Sequence, residues 1–263
     1  LVAFLPVAVL VGLGLTTKAQ AYLALPVAAL ALVLAKLAAA PQRQRITLGT
    51  HVGAIWGSLR QAWGLVIAGL IGLPWWLRNM QLYGGFDVLG LGRHNDIVIG
   101  QPTTAEWVAK KGPGGWLSEL FQVTFQSYWA QFGWMSIVID RRFYVAFLAF
   151  TLISTALFFV WWSQRRQLPH HSPRTALGLT LLATLGAMTV AAFVWYNLQF
   201  VQFQGRYLYT ALIPLAVAVA LGWHHAVRRW AWAQRWLWLA FTLAFAALDV
   251  YLLLRVVLPG MGV

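Results

Sequence analysis

The chain has no cysteine, and only six of its 263 residues are acidic. Without Cys there are no disulfides, no thiolate nucleophile and no Cys-ligated zinc or iron–sulfur site. Charged residues of both signs reach 10%, against about 25% in an ordinary soluble domain. Hydrophobic residues make up 60%, and the mean hydropathy is +0.69. So few charges cannot cover so much apolar surface in water, which excludes a soluble globular enzyme. Disorder is excluded too, because it requires low hydrophobicity. No glycine-rich nucleotide loop of Walker type, no repeat at a solenoid period and no low-complexity segment occurs. What is present is the composition of an integral membrane protein, with 16 Trp suited to the headgroup region of a bilayer.

The net charge of +13 resembles that of a nucleic-acid binder. Inner loops of membrane proteins collect Lys and Arg, so the expected partner is a lipid bilayer and no nucleic acid. The sequence begins at Leu1 inside an apolar run, with neither the basic start nor the cleavage site of a signal peptide. It reads as one membrane domain over 1–263, the C-terminal part of a longer protein.

A bilayer core about 30 Å thick needs roughly 20 helical residues. Seven apolar runs approach this length, near 1–16, 20–38, 62–79, 143–163, 175–198, 206–223 and 236–256. Runs such as 23–35 do not alternate apolar and polar, so a β-barrel is excluded and an all-α polytopic helical bundle is expected. Ten of the 19 Lys and Arg fall in alternate connectors: Lys36, Arg43, Arg45 and Arg60; Arg165, Arg166 and Arg174; Arg228, Arg229 and Arg235. The positive-inside rule makes those connectors cytoplasmic. The 80–142 segment then becomes one large extracytoplasmic loop. It carries Asp87, Asp96, Glu106, Glu119 and Asp140, and its first half is rich in turn-forming Gly and Pro. Its second half places Leu117, Leu120, Phe121, Phe125, Tyr128, Trp129 and Phe132 at helical spacing, with Ser and Gln on other faces. That pattern predicts a helix over 116–132 lying in the interface; the rival, an eighth span, would break the charge pattern.

Three cations stand against the positive-inside trend: Lys18, Arg78 and Arg206. Each is expected at the outer face, where cations often mark a ligand pathway. Such a set suits a phosphate, since the Arg fork of donors matches phosphate geometry. The competing reading is that each side chain snorkels to lipid headgroups. Arg206 has the stronger functional pattern, with Gln204, Gly205, Tyr207 and Tyr209 around it. Among the acids that could act as base or metal ligand, Asp96 ranks first, within Arg93-His94-Asn95-Asp96. The pairs His170-His171 and His224-His225 are adjacent, so they do not share a helix face, and no metal site is assigned. Asp249 and Arg255 share the last span, six residues apart, which suits pairing between helices better than with each other.

LTTKAQAYLALP (15–26), LRNMQLYGG (77–85), SYWAQFGWM (127–135) and FQGRYLYTALIPLA (203–216) occur in this order. The set resembles the C-terminal half of bacterial polytopic glycosyltransferases of the GT-C type, of the DUF2142-like and protein-mannosyltransferase-like branches. The resemblance implies a multi-pass enzyme of the bacterial inner membrane, taking a sugar from a polyprenyl-phosphate donor at the outer face. It implies a catalytic acid in a first outer loop upstream of this chain, so none is carried over. Lys18 and Arg206 match positions facing the donor phosphate, and Arg78 and Asn79 match an RN stretch without an assigned role. No cofactor is identified, and a divalent metal is left open. The alternative is a transporter or flippase-like protein without catalytic chemistry.

Overall fold

Apolar runs without alternation close their own backbone hydrogen bonds as helices, and the fold follows from that. The computed structural model describes residues 5–39, 52–53, 56, 63–98, 100–164 and 173–262. The helices are α1 (Leu5–Leu15), α2 (Ala24–Ala39), α3 (Trp63–Tyr83), α4 (Leu91–Ile97), α5 (Thr104–Trp129), α6 (Arg141–Gln164), α7 (Pro173–Asn197), α8 (Leu212–Ala226), α9 (Ala231–Leu252) and α10 (Leu258–Gly260). A wide turn over Leu253–Val257 joins α9 to α10, and tight 3₁₀ turns over Ala19–Leu23 and Gly205–Ala211 lead into α2 and α8. Pro26 and Pro214 are each the third residue of the α-helix that follows, within a first turn that tolerates proline.

Among the described residues, four segments are long and apolar enough to cross a membrane: Arg141–Gln164, Thr175–Asn197, Gly205–Ala226 and Ala231–Gly260. They coincide with the last four runs read from the sequence. Leu5–Leu15 and Gln20–Ala35 are shorter apolar helices. Among the described residues the protein is all-α apart from one short β-ribbon, and it has the build of a multi-pass membrane protein. The connector cations Arg43, Arg45, Arg60, Arg165 and Arg166, and the pair His170-His171, lie outside the described residues.

The chain forms two compact units, one of residues 1–101 with 171–192, the other of 102–170 with 193–263. In the first, α1 lies against α3 through small residues. Ala8, Gly12 and Leu15 of α1 and Gly64, Ala68 and Gly72 of α3 are buried. A Cβ on Gly12 would come 2.8 Å from Ile71 Cβ, so the close crossing depends on glycine there.

In the second unit, α6 and α8 cross at Gly222, where a Cβ would meet Phe158 N at 2.7 Å. Trp223 Nε1 donates to Ser154 Oγ at 2.9 Å beside this contact. Trp129 stacks on Phe147 at 4.6 Å and on Phe245 at 6.3 Å, tying α5, α6 and α9 together. Around them Ala130, Ile139, Tyr144, Phe147 and Leu252 form the buried core.

The 80–142 segment differs from the sequence expectation in three places, the first being the helix α4 over Leu91–Ile97 within the half read as a loop. Helix runs on both sides of Gly112-Pro113, over 104–111 and 113–129, where a loop was expected up to 115. Gly112 alone leaves helical geometry (φ 72°, ψ 165°), a conformation open to glycine, and Pro113 starts the second piece. The helix expected over 116–132 also ends early, at Trp129. Ala130 turns extended and its carbonyl accepts from Tyr144 Oη at 2.7 Å. Residues 131–138 then form an antiparallel ribbon, β1 (Gln131–Phe132) with β2 (Ile137–Val138), pairing Gln131 with Val138. Three consecutive turn residues have left-handed backbone: Gly133 (φ 54°), Trp134 (φ 56°) and Met135 (φ 69°).

Candidate functional site

The most elaborate polar construction in the second unit surrounds the entry to α8. Asn197, buried at the end of α7, donates from Nδ2 to the Phe193 carbonyl at 2.9 Å. Its Oδ1 accepts from the Gln202 amide at 2.9 Å, so one side chain ends the helix and turns the chain back. The returning strand pairs with the start of α5. Val201 N donates to Pro102 O, Thr104 N donates to Gln199 O, and Thr104 Oγ1 donates to Asn197 O at 2.7 Å.

Residues 203–211 then lie directly on α5. Gly205 N donates to Ser127 Oγ at 2.7 Å, and any Cβ on Gly205 would collide with the Thr124 carbonyl and the Tyr128 amide. Tyr209 Oη donates to Tyr128 O at 2.9 Å while the two rings meet edge to face. Burial beside Tyr209 raises the Tyr128 phenol above its ordinary pKa. Phe203 meets Trp116 edge to face at 6.2 Å. The stretches SYWAQFGWM and FQGRYLYTALIPLA, far apart in sequence, are thereby joined.

This docking fixes Arg206. Its guanidinium carbon sits 5.3 Å from the centre of the Trp134 ring and 5.6 Å from that of Tyr207. Trp134 is 84% exposed at the ribbon tip, so Arg206 is presented on the 80–142 segment with its edge open. Tyr207 Oη accepts from Gln202 Nε2 at 2.7 Å. Gln204 is buried, and its amide donates to Gln202 O. Trp116 Nε1, Thr124 Oγ1 and Gln131 Oε1 are buried without a hydrogen-bond partner among the described residues. All three belong to α5 or β1, the elements flanking this docking.

In the first unit Lys18 is exposed and extended at the head of the Ala19–Leu23 turn. Tyr22 Oη donates to Leu15 O and accepts from Trp76 Nε1 at 2.6 Å. Lys18 and Arg206 each stand by a 3₁₀ turn that leads into an α-helix, with a proline eight residues after the cation; Lys18 precedes its turn, whereas Arg206 is the second residue of its own. No solenoid repeat exists to reveal this. Arg78 lies over Trp75 at 5.0 Å and bonds weakly to Asn79 Oδ1 at 3.4 Å. Asn79 is buried and donates to Val88 O at 2.8 Å, which anchors the 84–90 loop and gives the RN stretch a structural role.

The acidic residues of the 80–142 segment separate by the work they do. Asp87 accepts from the Arg93 amide at 2.8 Å; that bond, with amides of residues 90–92, holds its carboxyl below the ordinary value. Glu106 forms a capping box with Thr103, whose amide and hydroxyl lower its pKa. Glu119 accepts from Lys111 and, at 2.7 Å, from Trp107 Nε1, and the Lys111 bond leads in lowering its pKa. Asp140 caps α6 by accepting from the Arg142 amide. Asp96 is exposed on α4, and no hydrogen bond or ion pair to its carboxyl occurs among the described residues.

Among the described residues, no three His, Asp or Glu side chains gather to hold a metal ion. His225 instead bridges Gln164 and Arg228. Comparison with protein-family models, curated proteins and solved structures returned no match. Sequence reasoning singled out Arg206 but missed Asn197, Ser127 and Trp134, which position it. An Asn closing a long apolar run was the available signal for the first; Ser127 and Trp134 gave none, because their roles exist only across the docking.

Proposed function

We propose that the chain is the donor-side part of a multi-pass GT-C-type glycosyltransferase of the bacterial inner membrane, using a polyprenyl-phosphate sugar. The observation that carries this reading is the placement of Arg206 at the head of an apolar helix, over an exposed tryptophan and beside Tyr207. A guanidinium so held offers parallel donors to a phosphate at membrane level. When the bond from the sugar's anomeric carbon to the phosphate oxygen breaks, charge grows on the departing lipid phosphate, and a fixed cation stabilises it. Gln204, buried beside Arg206, and Tyr207 orient it, and in the first unit Lys18 and Arg78 are cations of the same expected role. By the resemblance, the acid that takes the acceptor's proton lies upstream of this chain; within the chain Asp96, the one acid of its segment without a capping or pairing role among the described residues, is the candidate. In this reading the seven apolar runs all span, and 80–142 lies outside with 116–129 along the interface.

The test is transfer from a labelled polyprenyl-phosphate sugar by the full-length protein in vesicles. Arg206→Ala lowers kcat/KM by about 10- to 100-fold, the worth of a charged hydrogen bond. Arg206→Lys restores part of it, because an ammonium is a point charge. Unchanged donor kinetics in Arg206→Ala removes Arg206 from the site.

One observation favours a transporter or flippase without chemistry. A cation, a 3₁₀ turn and a proline eight residues after the cation occur once in each compact unit, and internal structural repeats are a mark of transporters. Label that crosses the vesicle without forming product supports this second reading.

A further inference from the structure

No acidic residue lies between Asp140 and Asp249, yet that stretch holds nine arginines. Their charge therefore has no carboxylate within the stretch to answer it. Three of them, Arg228, Arg229 and Arg235, are exposed at the turn from α8 to α9. The turn is well defined. Trp230 N donates to Val227 O at 2.9 Å, Gln234 Nε2 donates to Arg228 O at 2.8 Å, and Arg228 Nη1 lies 3.3 Å from His225 Nδ1. On α9, Trp232, Arg235, Trp236, Leu239 and Leu243 recur at three- and four-residue spacing, so they share a face. All five are exposed, Trp232 at 71%, and α9 is long and apolar enough to cross a membrane. An exposed apolar stripe on such a helix meets acyl chains, and its Trp and Arg end meets headgroups.

We infer that the α8–α9 turn with the first turns of α9 is a binding surface for anionic phospholipid. Trp232 and Trp236 flank the upper acyl region, and Arg228, Arg229 and Arg235 hold the anionic headgroup. The occupant is a lipid because the cations sit directly above a lipid-facing stripe. It is an anionic one because three exposed arginines stand in a stretch of sequence without a carboxylate. Each basic residue near a charged membrane surface is worth about 1 kcal/mol, or roughly fivefold in binding.

The test uses the full chain purified in neutral detergent, incubated with an equimolar mixture of phosphatidylglycerol and phosphatidylcholine. Mass spectrometry then measures the retained lipids. The wild-type protein retains phosphatidylglycerol in excess, and the excess shrinks at high salt. In the triple variant R228Q/R229Q/R235Q the ratio falls at least about fivefold. The triple variant R228K/R229K/R235K keeps most of the preference, because headgroup attraction needs charge more than fork geometry. A wild-type ratio equal to that of the mixture overturns the inference and assigns the arginines to another kind of partner. So does a ratio unchanged in the glutamine variant.

Discussion

Gly205 shows how much a single residue decides. Its backbone φ is not left-handed, so its conformation does not demand glycine; contact with the Thr124 carbonyl and the Tyr128 amide does. A methyl group there forces residues 203–211 off α5. Gly205→Ala is therefore expected to destabilise the protein by about 1–3 kcal/mol, seen as a lower unfolding temperature in detergent. Tyr209→Phe removes only the bond to Tyr128 O and keeps the ring contact, so about 0.5–1.5 kcal/mol is lost. Equal stability of Gly205→Ala and wild type would show that the docking is looser than described. At this scale Arg206 was legible in sequence, because a charge among apolar residues is conspicuous. Ser127, which receives the Gly205 amide, was not, because a Ser in a helical stripe carries no mark of its partner 78 residues away.

Among the elements, α5 has a sequence that argues against itself, with Gly112-Pro113 in the middle of helical residues. Glu119 holds the break together from the far side, reaching back to Lys111 and Trp107, and Lys111 also lies over the Trp107 ring at 4.3 Å. Glu119→Gln is expected to speed hydrogen exchange of amides in 104–111 while leaving 116–129 unchanged. At the start of α5, Thr103→Ala breaks the capping box at a cost of about 1 kcal/mol, read from the same amides.

The capping box has a pH signature whose sign is fixed. The folded state lowers the Glu106 pKa, so its stabilisation is complete above the ordinary glutamate value. It is lost as pH falls from that value through the lowered folded one. Local opening of 104–111 should rise across that acidic window, and Glu106→Gln should flatten the dependence. A wild-type profile as flat as that of the glutamine variant would show that the box contributes nothing.

For the whole molecule the testable quantity is topology, and the absence of native Cys makes each introduced one a unique reporter. Alternate clustering of cations predicts that a membrane-impermeant thiol reagent added outside labels Asp96→Cys but not Arg229→Cys. Labelling of Arg229→Cys from outside would invert the proposed orientation, and labelling of both would break the seven-span count.

Mean hydropathy, the scarcity of charge and the lack of alternation by themselves determined that this is a helical membrane protein, and they located its last four long helices. Backbone groups in an apolar setting must be satisfied within one segment, so the run lengths suffice. Tertiary structure alone decided the early end of α5, the ribbon that lifts Trp134 beneath Arg206 and the seating of Gly205 on α5. Each of these rests on a partner distant in the chain: Tyr144 for Ala130, Val138 for Gln131, Thr124 and Tyr128 for Gly205. Local propensity cannot encode a contact that exists only after the helices have packed.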